Sequence, residues 1–189
     1  SWTIGQIGWD QAWSSIQELI DTGMEPKTAA ALKRIIETID GVRSVHMLRS
    51  RRMGGLYLID VHIVVNERLS VSEGHRIAEH VRLKLIDSHE DISDALVHID
   101  PEDDSVAISS AGLPLRREVL RDLRRVWAED IDSSELDGVT LHYLNGKVHV
   151  DLVRSAHAVN TNEEQLPRRL QEQSRALDYI GDVRVYKQH

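Results

Sequence analysis

The sequence predicts an α+β fold made of two tandem αββαβ domains behind a short lead-in helix. Three observations carry this expectation. Stretches with helical apolar spacing alternate with β-branched runs in the order helix, strand, strand, helix, strand. The same order then repeats in the second half. Each half also places a glycine turn between its paired strands, Met53-Gly54-Gly55 in the first and Asn145-Gly146 in the second. At 189 residues and 41% hydrophobic content, the chain suits two modest cores rather than one deep one.

In chain order, Trp2 and Trp9 mark an apolar opening that suits either a packed terminus or a membrane-interface segment. Ala12, Trp13, Ile16, Leu19 and Ile20 then follow helical spacing, which predicts the lead-in helix from Asp10 to Ile20. A second helix starts near Pro26, a favourable first-turn residue, and carries Leu32, Ile35, Ile36 and Ile39 up to Asp40-Gly41. Val42 to Arg52 and Leu56 to Asn66 read as the strands of a hairpin. Ser70, with Glu73 three residues on, gives a capping box for a helix running to about His89. Ile92 to Asp100 is the third strand. A polar stretch through Glu102-Asp103-Asp104-Ser105 and Ser109 to Gly112 marks the boundary, with domains expected at 25–104 and 112–189. Beyond it, Leu115–Ala128 and Glu163–Leu177 read as helices, and 138–144, 147–154 and 182–186 as strands. Asp137-Gly138-Val139 echoes Asp40-Gly41-Val42, which suggests a degenerate duplication.

Composition removes several function classes. There is no cysteine, hence no disulfide, catalytic thiol or thiolate zinc site. Net charge of -8 argues against nucleic acid, whose phosphates need clustered Lys and Arg. No apolar run reaches the length of a bilayer span. HExxH, GxSxG and phosphate-loop motifs are absent, and His75 to His80 misses the inverted zinc-protease spacing by one residue. No enzyme is expected.

What remains is histidine. Six of the ten fall between His46 and His98. In Val97-His98-Ile99-Asp100, alternation puts His98 and Asp100 on one face, roughly 7 Å apart along the strand. Asp60-Val61-His62-Ile63 alternates likewise, so a sheet pairing the two strands gathers His62, His98 and Asp100 into one patch. With His46 and His75 these form the candidate metal ligands. Imidazole and carboxylate donors favour zinc and admit manganese, iron(II), cobalt and nickel. The second half has no counterpart of the His98-x-Asp100 pair, because its last strand reads Val183-Arg184-Val185-Tyr186.

Gly41-Val42 to His46-Met47-Leu48-Arg49, Arg51 with Gly54 or Gly55, Asp60-x-His62, Leu69-Ser70-Val71 with Gly74-His75-x-Ile77-Ala78-Glu79, and Val97-His98-Ile99-Asp100-Pro101 together resemble the cytoplasmic C-terminal domain of the cation diffusion facilitators. The likeness covers about residues 10 to 101. It implies a metallochaperone-like (ferredoxin-like) αββαβ fold, a homodimer, and divalent metal held by His46, His62, His75, His98 and Asp100, with Asp100 bridging two ions. It further implies that residues 1–24 follow the last transmembrane helix of a parent chain, a divalent-cation/proton antiporter, and that this part sits on the cytoplasmic face of the cell membrane. Met47 departs from the family pattern, which has an acid after the histidine, and residues 110–189 extend beyond the common domain. The alternatives are a structural dimerisation module that needs no metal and a metal-dependent hydrolase using the same patch.

Overall fold

A computed structural model describes residues 2, 5–9, 23–132, 135–155 and 165–187. The chain divides into two compact units, residues 1–105 and 106–189. Each has the element order helix, strand, strand, helix, strand, so the α+β architecture of two αββαβ repeats is what the chain adopts. The predicted lead-in helix at 10–20 lies outside the described residues. Just before it, residues 5–9 are helical and both Trp2 and Trp9 are open to solvent.

The first unit comprises α1 (Pro26–Glu37), β1 (Ser44–Met53), β2 (Leu56–Val64), α2 (Val71–Ser88) and β3 (Ile92–Asp100). Its sheet order is β1-β2-β3, antiparallel in the hairpin and parallel across the α2 crossover. The two-residue turn works because Gly54 and Gly55 take φ values of 61° and 87°, which side chains disfavour. Ser70 caps α2 by accepting a hydrogen bond from the Glu73 amide at 3.1 Å. Ile59, Val61 and Ile63 of β2 alternate inward to meet Leu32 and Ile36 of α1 and Val81 and Leu85 of α2. Both helices therefore cover one face, and the opposite face of the sheet carries Asp60 and His62.

The second unit comprises α3 (Arg116–Val126), β4 (Leu136–Leu144), β5 (Lys147–Arg154), α4 (Leu166–Ser174) and β6 (Ile180–Lys187), with sheet order β4-β5-β6 and the same strand directions. Val148, Val150 and Leu152 pack against Val119, Leu123, Leu166 and Leu170. Trp127 is the largest member of this core. Its indole N–H donates to the Leu170 carbonyl at 3.1 Å and the Ser174 hydroxyl at 3.0 Å, so the ring is buried without an orphaned donor.

One sequence signal of duplication does not survive the structure. Gly41 lies ahead of β1 at φ 89°, where a Cβ would come within 2.5 Å of Ile77 Cδ1. Gly138 is inside β4, with no contact closer than 3.8 Å. The two Asp-Gly-Val triplets are not equivalent positions, and the repeat rests on topology instead. Gly41→Ala should therefore destabilise the first unit by about 2 kcal/mol, from left-handed backbone strain and overpacking on Ile77. Urea unfolding measures it, and Gly138→Ala is the control expected to show little change.

The Tyr179 phenol donates a 3.0 Å hydrogen bond to Asp122. Burial, reinforced by that bond, pushes its pKa up to about 12. The fold thus prefers the neutral phenol, and this contribution is complete below about pH 10 and is lost as pH rises through about 12. Alkaline unfolding of the second unit should begin in this window, and Tyr179→Phe should remove that step from a pH titration followed by circular dichroism.

Candidate metal centre

Two structural devices assemble the histidine face. The first is a β-bulge in β1. Val45 pairs with Ile63 and Met47 with His62, which leaves His46 as an extra residue opposite the same stretch of β2. The second is the parallel register of β2 and β3, which sets His62 directly beside His98 and Val64 beside Asp100. The His62 and His98 rings stack with centroids 4.3 Å apart and planes inclined by 14°. His46 approaches from the other side, its ring centroid 5.5 Å from that of His62.

Asp100 ties these side chains together. Its Oδ2 lies 2.8 Å from His62 Nδ1 and 3.3 Å from His46 Nε2. All three side chains are largely withdrawn from solvent, at 22%, 14% and 15% exposure for His62, His46 and Asp100. That burial leaves their donor atoms few alternative partners in water. His46 Nδ1 has no hydrogen-bond partner, and the nearest acid to it is Asp103, 4.0 Å away. Hydrogen bonds from the Ser105 hydroxyl and amide hold the Asp103 carboxyl below its usual range, with His46 adding a smaller pull. Asp103 is thus a fixed negative charge beside the cluster.

Two groups of three have donor atoms mutually within 4.8 Å: His46, His62 and Asp100, and Asp60, His62 and His98. His62 belongs to both. The first group is the more enclosed, since His98 and Asp60 are each 43% exposed and meet at 3.3 Å. Chemically, two imidazoles and a carboxylate with an orphaned ring nitrogen nearby match the donor set of a borderline divalent ion. Of the five residues singled out in the sequence, His46, His62, His98 and Asp100 share this face. His75 does not join them. It lies on α2 and lines a separate surface hollow with Glu79, Arg82 and the β3 residues Ala95 to Val97. Asp60 and Asp103 were not singled out as metal ligands from the sequence. Alternation two residues before His62 was a signal for Asp60, whereas Asp103 follows the strand and is positioned by loop geometry that no periodicity reveals.

Among the described residues of the second unit the patch has no counterpart. Counting from the hairpin turn, the places of His62 and His98 are taken by Val153 and Tyr186, which face each other across β5 and β6. Its two described histidines form separate pairs, His142 with Asp151 at 3.1 Å and His149 with Asp182 at 3.5 Å. Arg184 stands beside Asp151 in the register.

Residues 24–102 match the family model described as the cytoplasmic domain of cation efflux proteins. Metal tolerance protein C1 of Arabidopsis thaliana is 31% identical over 150 residues, covering 74% of this chain and 32% of that protein. That match is too long to lie within the first unit and runs into the second. The cation-efflux pump FieF of Shewanella oneidensis is 32% identical over 98 residues, covering 52% of this chain and 33% of the pump. The manganese efflux system protein MneP of Bacillus subtilis is 25% identical over 101 residues, covering 53% and 34%. The chain thus spans about a third of the length of these relatives. Among solved structures, a cadmium form of the MamM CTD is 22% identical, covers 42% of this chain and all of its own, and superimposes with a TM-score of 0.40.

Removing the carboxylate should be costly even without metal. Asp100→Ala orphans His62 Nδ1 and His46 Nε2 in a partly buried site, and a loss of about 1 to 3 kcal/mol is expected in chelator-treated protein. Denaturant unfolding checks this, with Asp103→Ala, at a more exposed carboxylate, expected to cost less.

Proposed function

We propose that this chain, whose residues 24–102 match the family model of cation efflux protein cytoplasmic domains, is the metal-responsive, dimer-forming cytoplasmic part of a divalent-cation/proton antiporter. The observation that carries the reading is the convergence of His46, His62 and Asp100. His46 and His62 supply imidazole nitrogens, Asp100 supplies an anionic oxygen, and a zinc ion is the preferred occupant for that donor set. His98 extends the group toward a second ion. His75 stands apart within one chain, so it contributes from a second copy that sets its α2 against this face.

Rising cytosolic metal then occupies the cluster, and binding across two copies favours the paired arrangement. The attached membrane segments of the parent chain are biased accordingly. The size of that bias equals the difference in metal affinity between the paired and unpaired arrangements, and nothing larger. No enzymatic step enters this scheme, in keeping with a transport family.

Calorimetric titration of zinc into the wild type, His98→Ala and Asp100→Ala tests the ligand set. Asp100→Ala should lose most of its affinity and His98→Ala a smaller part, while equal binding by all three overturns the assignment. Because protons compete with metal for the imidazole nitrogens, affinity should fall on acidification. Zinc at about one hundred times its dissociation constant should raise stability by roughly 2.7 kcal/mol, read from the shift of the unfolding transition. Light scattering with chelator and then with zinc separates the metal-responsive dimer from a module that pairs without metal, since the latter keeps one mass throughout.

A further inference from the structure

The second unit has a different chemical character from the first, and it is concentrated on α3. That helix carries Arg116, Arg117, Arg121, Arg124 and Arg125 against Glu118 and Asp122, in a chain whose net charge is -8. Val119 and Leu123 turn into the core. Arg116, Leu120 and Arg124, spaced four residues apart, form one flank of the helix, and this flank borders a cavity of about 380 Å³ closed on its far side by Leu136, Gly138 and Val139 of β4. The buried Trp127 and the half-buried Ile131 add to its apolar lining.

The two arginines are differently placed. Arg116 is pinned by a 2.9 Å hydrogen bond from Nη2 to the Val139 carbonyl, so its charge is fixed at the mouth of the cavity. Arg124 is exposed and has no partner among the described residues. Asp132, the acidic residue of the described lining, already has a partner of its own. A hollow of a few hundred Å³ that sets apolar side chains beside a small number of charged groups is a usual form of a small-ligand site.

We propose that this cavity binds a small amphiphilic anion of the aliphatic carboxylate class. The alkyl chain lies against Leu120, Ile131, Leu136 and Val139, above the buried Leu123 and Trp127, and the carboxylate is met by Arg124 and by the anchored Arg116. The sign of the charge selects the class, because a cationic amphiphile of the same chain length meets two guanidinium groups. Preorganisation of Arg116 lowers the ordering cost that an exposed long side chain otherwise imposes on binding. The site is independent of the histidine face and rests on none of its residues.

The test uses the full chain and octanoate, with octyltrimethylammonium as the charge control. Octanoate should bind with one site per chain by calorimetry, and the cationic control at least about tenfold more weakly. Arg124→Ala should weaken octanoate about tenfold, the usual scale for a charge-assisted contact. Ala128→Trp, a substitution at an exposed lining position, should block binding while leaving the unfolding transition in place. A second arm presents oleate in phosphatidylcholine vesicles. Sedimentation with them that Arg124→Ala abolishes assigns the anion to a membrane, and octanoate binding without sedimentation assigns it to a free acid. Absence of octanoate binding, equal binding of the cationic control, or indifference to both substitutions overturns the proposal.

Discussion

The site depends on one register. Parallel pairing of β2 with β3 puts His62 beside His98 and, two residues on, Val64 beside Asp100. What holds that register is on the other side of the sheet, where Val61 and Ile63 are fully buried and Val97 and Ile99 pack against the same core. A slip by one residue would send those apolar side chains to solvent and the polar histidine face into the core, which hydrophobic burial forbids. Packing on one face thus fixes chemistry on the other. The carboxylate of Asp100 then needs only its own rotamer to reach both imidazoles.

Much of this was legible in the residues. Helical spacing, the Gly54-Gly55 and Asn145-Gly146 turns, and the Ser70 cap located the elements to within a few residues, because each depends on local backbone physics. Alternation also put His62, His98 and Asp100 on one face. Two features were not legible. The bulge that inserts His46 is a property of the pairing of two strands, and no pattern within β1 alone announces it. The separation of His75 from the others depends on how α2 crosses the sheet, since its place in the sequence motif says nothing of distance. The Asp-Gly-Val echo misled for a related reason: a short tripeptide near a strand recurs without marking equivalent positions.

The two repeats show what a fold preserves and what it leaves free. Ile59, Val61 and Ile63 of β2 and Val148, Val150 and Leu152 of β5 all face inward, since both sheets must meet two helices, and the next inward place of β5 is taken by the buried Arg154, paired with Glu135 at 2.9 Å. The outward face has no such obligation. There the first unit carries histidine and aspartate, while the second substitutes Val153 and Tyr186 and sets His142 and His149 in separate acid pairs. Distinct surface chemistry on a shared scaffold is the expected result when core packing alone specifies the architecture.

The bulge at His46 bears on more than the placement of an imidazole. β1 is an outer strand, and its free backbone edge is a template on which another chain could lay down a strand and begin aggregating. An inserted residue interrupts the regular spacing of amides that such a template requires, and exposed Arg49, Arg51 and Arg52 farther along the strand discourage flush contact. β4, the outer strand of the second unit, carries its own irregularity between Leu136 and Gly138. The same backbone irregularity that aims an imidazole therefore also guards the sheet against self-templating, so straightening β1 would trade that imidazole's placement for an adhesive edge.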